Sequence, residues 1–136
     1  MYPPEMVAPM KSELIESGFE ELHNAESVNH FLSRSGTALL VVNSVCGCAA
    51  GSARPGVLQS LNQPKKPAHL GTVFAGVDRE ATQTARENMS PFPPSSPCIA
   101  LFKEGKLVHM VERHHIEGRT AAALAENLKQ AYDEYC

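Results

Sequence analysis

The sequence predicts a single α/β domain in which a mixed central sheet is flanked by helices. Three observations lead there. Segments of strand and helix character alternate along the chain, the pattern of a layered α/β structure. Residues 37–45 (TALLVVNSV) form an almost unbroken apolar, β-branched run, as expected of a strand buried on both faces. Residues 98–103 and 106–112 are separated only by Glu104-Gly105, the mark of a β-hairpin. Parallel crossovers in the middle and an antiparallel hairpin near the end require a mixed sheet.

Residues 5–17 place Val7, Met10 and Leu14 at helical spacing, and Gly18 stops that helix. Asn24 is placed to N-cap a second helix with Val28, Phe31 and Leu32 on one face, closed by Gly36. After the 37–45 strand come Cys46, Gly47 and Cys48, and residues 49–61 then read as a helix. Pro55 lies inside it and cannot donate to the Gly51 carbonyl, so a kink is expected there. Residues 69–77 read as the next strand, 79–88 as a polar surface helix, and the hairpin comes next. The last helix, 119–135, sets Ala121, Leu124, Leu128, Ala131 and Tyr135 along one stripe. No repeat, low-complexity tract or linker interrupts the 136 residues, which suit one domain over 1–136.

Composition excludes some classes of function. A hydrophobic content of 43% and a charged content of 20% are ordinary for a soluble globular protein. The formal net charge of -3, with no Lys/Arg block, gives no footprint for nucleic acid. The longest apolar run, 38–42, is too short to cross a bilayer, and Met1-Tyr2-Pro3-Pro4-Glu5 lacks the pattern of a signal peptide. The expectation is a cytoplasmic protein with no nucleic-acid or membrane partner. Cytosolic thiols are kept reduced, so a close cysteine pair there reads as catalytic or metal-binding before structural.

Cys46 and Cys48 stand where the buried strand gives way to a helix. The unpaired N–H groups and positive dipole end of a helix favour thiolate over thiol, and the thiolate is the nucleophile of disulfide exchange. Residues two apart point in nearly opposite directions on an α-helix. A disulfide between them therefore requires Cys46 at or before the N-cap, with Gly47 supplying unusual backbone angles. Such a bond is strained, which makes it oxidising and easily reduced. Cys46, nearer the strand tip, is assigned as the attacking thiol and Cys48 as the resolving one. Two other readings stand beside this. The pair is half of a zinc site completed by Cys98 and His109, His114 or His115, or it is a pair of buried, inert thiols. No second Cys-x-x-Cys is present and the histidines lack ligand spacing, so no metal is assigned. Asn43 and Ser44 read as turn-formers, Arg54 as solvated, and His114-His115 as a solvated surface pair. Cys136, the last residue, reads as frayed and incidental.

Pro97 follows Ser95-Ser96 at the start of an apolar strand, where a residue without an N–H belongs. A strand, a cysteine pair at a helix start, a mid-helix proline, then Ser96-Pro97 and a hairpin resemble the thioredoxin fold. The string VNSVCGCAAG, residues 42–51, with Arg54-Pro55 and the opening Met6-Val7-Ala8-Pro9-Met10, resembles the bacilliredoxin family over essentially the whole chain. The resemblance implies a single-domain, thioredoxin-like thiol-disulfide oxidoreductase without a cofactor. Its clients are oxidised proteins carrying mixed disulfides with bacillithiol, or a similar low-molecular-weight thiol that serves as co-substrate. Cys46 takes over the small thiol and Cys48 resolves it. Pro97 matches a cis-proline beside the active site, and Gly47, Ser96, Pro97 and Cys98 line the substrate-binding surface. The Cys98 thiol itself reads as space-filling before trapping. A disulfide isomerase using the same pair is the alternative within this chemistry, and a metal-binding or redox-sensing module without turnover is the alternative outside it.

Overall fold

The computed structural model describes residues 2–136. Helix α1, Pro4–Ile15, buries Val7 and Leu14, and the chain turns away at Gly18 with φ +99°. Strand β1, Glu20–Glu21, was not foreseen: two glutamates carry neither apolar alternation nor β-branching. Helix α2, Ala25–Ser33, starts as expected. Ser27 N–H donates to Asn24 Oδ1 (2.8 Å) and Asn24 N–H donates to Ser27 Oγ (3.2 Å), a reciprocal cap. Helix α2 ends before Gly36, whose φ of +90° belongs to the turn into β2.

Strand β2, Thr37–Asn43, is buried at every position. After the cysteine pair the helix opens with a π-helical turn, Ala49–Ala53, and continues as α3, Arg54–Ser60. The kink expected at Pro55 takes this form. Arg54 N–H bonds the Ala49 carbonyl five residues back, just before the residue that has no N–H to give. Strand β3, His69–Phe74, helix α4, Arg79–Glu87, and strands β4, Cys98–Lys103, and β5, Lys106–Val111, come next. Glu104 (φ +50°) and Gly105 (φ +78°) are both left-handed, the geometry that matches a two-residue turn to strand twist. A short helix α5, Arg113–Ile116, precedes α6, Ala121–Tyr135, which is capped by Thr120 Oγ1 accepting from Ala123 N–H (3.1 Å). The α6 stripe buries Leu124, Leu128 and Ala131 as expected. Tyr135 packs half-buried against the same core, and Tyr132, which the stripe omitted, is fully buried with its hydroxyl 2.9 Å from Ser60 Oγ.

The sheet order is β1-β3-β2-β4-β5, parallel on the β3 side of β2 and antiparallel on the β4 side. Leu39 and Val41 of β2 face one core with α1, α3 and α6, whereas Leu40 and Val42 face a second core with α2 and α4. Consecutive residues of β2 thus feed opposite layers, which is why that strand reads as continuously apolar. The layers approach closely at Gly71, where an added Cβ would sit 2.8 Å from the Phe31 ring. Gly71→Ala is expected to lower stability by about 1–3 kcal/mol, read as a fall in the urea midpoint at constant slope. Gly47→Ala, whose Cβ would meet nothing within 4 Å, is expected to change it by less than about 1 kcal/mol.

Candidate active site

The tip of β2 is held by buried polar groups. Asn43 Nδ2 donates to the Met10 carbonyl (3.1 Å), and Asn43 Oδ1 accepts from Ser44 N–H (2.9 Å) and Arg54 Nη1 (2.9 Å). Arg54 Nη1 also donates to the Ser44 carbonyl (3.0 Å), and its Nε pairs with Glu13 Oε2 at 2.8 Å. Asn43, Ser44 and Arg54 are 1%, 6% and 2% exposed. This corrects the reading of Arg54 as solvated and of the other two as plain turn-formers. The π turn carries one residue more than an α turn and rotates the rest of the helix by about 100°, a phase shift that side-chain periodicity does not announce.

From this tip the chain enters the helix. Cys46 N–H donates to Ser44 Oγ (3.2 Å), and the Cys46 carbonyl accepts from Ala49 N–H (3.0 Å) and Ala50 N–H (3.3 Å). Cys46 is therefore the residue at the cap, and Gly47 and Cys48 (φ -70°, ψ -24°) lie in the first helical turn. Gly47 does not adopt the unusual angles expected of it, since its φ is outside the left-handed region. It is exposed, with open space where a side chain would stand, so it leaves the helix start bare between the two thiols.

Both cysteines are free thiols, with the sulfurs 2.8 Å apart. Their surroundings are unequal. The Cys46 thiol is held below its ordinary range, chiefly because the Cys48 thiol donates to it, with help from the main-chain N–H of Cys48 and the charge of Arg113. The Cys48 thiol is pushed up by burial first, and then by its hydrogen bond and charge interaction with Cys46. It packs against the α1–α3–α6 core.

Arg113, at the start of α5, was not singled out from the sequence; nothing there distinguishes it from any cation after a strand. Its Nε donates to Glu117 Oε1 (2.6 Å), its Nη1 to the Ser96 carbonyl (3.2 Å), and its main-chain N–H to Ser95 Oγ (3.3 Å). Ser96 borders the same cavity as Cys46, Ser44 and Arg113. Pro97 is buried behind it, and the Ser96–Pro97 peptide bond is cis, as the resemblance implied; Ser90–Pro91 is cis as well. Cys98 does not line the substrate surface as the resemblance implied: it is 1% exposed, and its thiol lies 3.9 Å from Met89 Sδ among the α2–α4 core residues, on the other side of the sheet from the core that receives Cys48. Burial pushes that thiol up to about 12, so it stays protonated. Among the described residues, the groups close enough to share a metal ion are Glu112, His114 and His115, whose ligand atoms lie within 4.8 Å of one another. Neither Cys46 nor Cys48 belongs to that set, and His109 instead meets Asn127 Oδ1 at 2.9 Å.

A family model described as disulphide isomerase matches residues 2–136. A bacilliredoxin from Cytophaga hutchinsonii is 63% identical over 134 residues, covering 98% of this chain and 99% of its own. A bacilliredoxin from Halalkalibacterium halodurans is 52% identical over 136 residues, covering 99% and 94%. The chain belongs to the bacilliredoxin family.

Solved structures place the fold. Thioredoxin O2 from Arabidopsis thaliana, in the oxidised state, superposes with a TM-score of 0.59 at 20% identity, over 86% of this chain and 96% of its own. A thioredoxin from Malassezia sympodialis gives a TM-score of 0.61 at 14% identity, over 87% and 90%. The protein is thus a thiol-disulfide oxidoreductase of thioredoxin fold, and no helix among the described residues is long and apolar enough to cross a membrane.

In this protein the buried Arg54 contacts should outweigh the exposed one. Asn43→Ala removes an acceptor from a sealed guanidinium and should cost about 1–3 kcal/mol in urea unfolding. Glu13→Gln acts on a carboxylate that is 42% exposed and should cost less than about 1 kcal/mol. The reverse order would show that the surface ion pair, and not the buried knot, holds the strand tip.

Proposed function

We propose that this protein removes a low-molecular-weight thiol, bacillithiol or a similar one, from mixed disulfides on oxidised client proteins in the cytoplasm. The observation that carries the reading is the 2.8 Å contact between two thiols of opposite tendency, Cys46 favouring the thiolate and Cys48 the thiol.

In the first step the Cys46 thiolate attacks the small-thiol sulfur of the mixed disulfide. The client–sulfur bond breaks and the client leaves as a thiolate that takes a proton from solvent, while Cys46 now carries the small thiol in a new disulfide. In the second step Cys48, having lost its proton, attacks Cys46 Sγ. The small thiol leaves, and an internal Cys46–Cys48 disulfide holds the two oxidising equivalents until an external dithiol or two further small thiols reduce it. A proton on Cys48 during the first step keeps it from competing as a nucleophile and lets it stabilise the Cys46 thiolate. Once Cys46 is in a disulfide it no longer accepts that hydrogen bond or carries charge, so two of the causes that raise the Cys48 pKa disappear. In this reading the bare Gly47 and Ser96 form the surface that receives the mixed disulfide, and the buried Pro97 fixes Ser96 from behind. Cys98 supports Pro97 from within the sheet and takes no part as a thiol.

A second reading is favoured by the family model's description as disulphide isomerase: the same pair would rearrange disulfides within a client. Intact-mass measurement on a client carrying a bacillithiol adduct separates the two. With Cys48→Ser protein the adduct is expected to move onto Cys46 and to stay there, and with Cys46→Ser no transfer is expected. A persistent client–Cys46 conjugate, with the small thiol released, would favour the isomerase. Transfer to Cys46→Ser protein would reverse the roles of the two cysteines.

A further inference from the structure

The loop that joins α4 to the Ser96–Pro97 turn is apolar and uncovered. Residues 90–94, Ser-Pro-Phe-Pro-Pro, are all exposed, and Phe92 is one of four large hydrophobic side chains left outside the core among the described residues. Pro91, Pro93 and Pro94 have no N–H to satisfy and a fixed φ, so the loop has little freedom to lose when something covers it. On one side of Phe92 a groove of about 630 Å³ runs between this loop and α4, bordered by Arg79, Thr82, Arg86, Pro91 and Pro94. On its other side lies a pocket of about 290 Å³ against Leu107, Val108 and Met110 of β5. The ring is a ridge between two hollows.

The groove opens into the Cys46 cavity, because Gly76 and Arg86 border both. Helix α4 has nine residues, so it is about 13 Å long and spans about four residues of an extended chain. Exchange at Cys46 gives this length of surface no use. Arg79, Arg86 and Glu87 put two cations and one carboxylate along its wall, in a chain whose formal net charge is -3. Among the described residues neither arginine forms an ion pair. Arg86 Nε is also sealed from solvent without a hydrogen-bond partner, a cost that no ion pair within the described residues offsets. The chemistry complementary to such a wall is apolar and acidic.

We propose that the groove between α4 and Phe92 receives an extended segment of the oxidised client, with an apolar side chain against Phe92 and an acidic one against Arg79 and Arg86. The assignment rests on the exchange reading of Cys46 and adds the kind of client sequence it serves. About four residues fill the groove, which brings the modified cysteine that adjoins them to the cavity at Cys46.

The test uses three peptides of one length, each with a single cysteine in a mixed disulfide with 2-mercaptoethanol. The residues on both sides of that cysteine include leucine and glutamate, leucine and lysine, or serine and glutamine. The readout is the rate at which full-length reduced protein frees the peptide thiol, followed by quenched-flow intact mass. Each rate is divided by that with dithiothreitol, which removes the peptide's intrinsic reactivity. The leucine–glutamate peptide should outrun the serine–glutamine peptide on the order of tenfold, which roughly 55 Å² of apolar surface removed from water is worth. Phe92→Ser should bring that ratio most of the way to one. Arg79→Gln and added salt should each narrow the advantage of glutamate over lysine. Both variants should react with the symmetrical disulfide of 2-mercaptoethanol at the wild-type rate, since neither residue borders the Cys46 cavity. A wild-type ratio near one, or one unchanged by Phe92→Ser, overturns the docking site. A glutamate advantage indifferent to both Arg79→Gln and salt overturns its acidic half. A dimer at assay concentration that Phe92→Ser disperses would give the groove to a second copy of the chain and overturn the client assignment. Release of none of the three peptides would overturn the exchange reading itself.

Discussion

Strand β2 is buried on both faces and must release its chain into a helix within three residues. A strand tip in that position would leave polar main-chain groups sealed away from water, each at a cost comparable to a lost hydrogen bond. Arg54 meets that constraint. Its guanidinium returns from the helix to the strand, taking the Ser44 carbonyl and the Asn43 side chain, while Asn43 holds Ser44 N–H and ties α1 through the Met10 carbonyl. With Asn43 and Ser44 fixed, Ser44 Oγ receives Cys46 N–H and the Cys46 carbonyl is free to start the helix. The position of the reactive thiol thus depends on a charged side chain that never reaches it.

The inequality of the two thiols arises from where this knot leaves them. Cys46 stands at the cap, where main-chain N–H groups and the Cys48 thiol point at its sulfur. Cys48, inside the first turn, is pressed toward the α1–α3–α6 core and loses solvent. Stabilising the charge on one sulfur and desolvating the other are separate effects, and they act in opposite directions on two residues separated by one glycine. Gly47 between them contributes by having no side chain over the helix start.

Much of this was legible in the sequence. Periodicity gave the order of layers, the buried run of β2 and the Asn24 cap, and the spacing of Cys46 and Cys48 put the first at a helix start. The features that were missed share a cause: they depend on contacts between distant segments. Arg54 reads as solvated on a helix kinked at Pro55, and the π turn that shifts the helix phase just before it has no signature in the side-chain periodicity. Arg113 becomes relevant because β5 ends beside Ser96, a tertiary fact with no local signature. Strand β1 exists because β3 offers it an edge, and two glutamates predict nothing of the kind. The expectation for Gly47 erred in another way, assigning to backbone freedom a role that the structure assigns to open space.

A pair built in this way ionises in a fixed order, Cys46 first. Carbon NMR of the reduced protein, labelled at cysteine Cβ and assigned with single Cys→Ser variants, tracks both titrations in one sample. The first proton is expected to leave with its shift change centred on Cys46 and a midpoint below the ~8.5 of an ordinary cysteine, while Cys48 holds its proton above that value. Ionisation of Cys48 first, or of both thiols together near the ordinary value, would contradict that order.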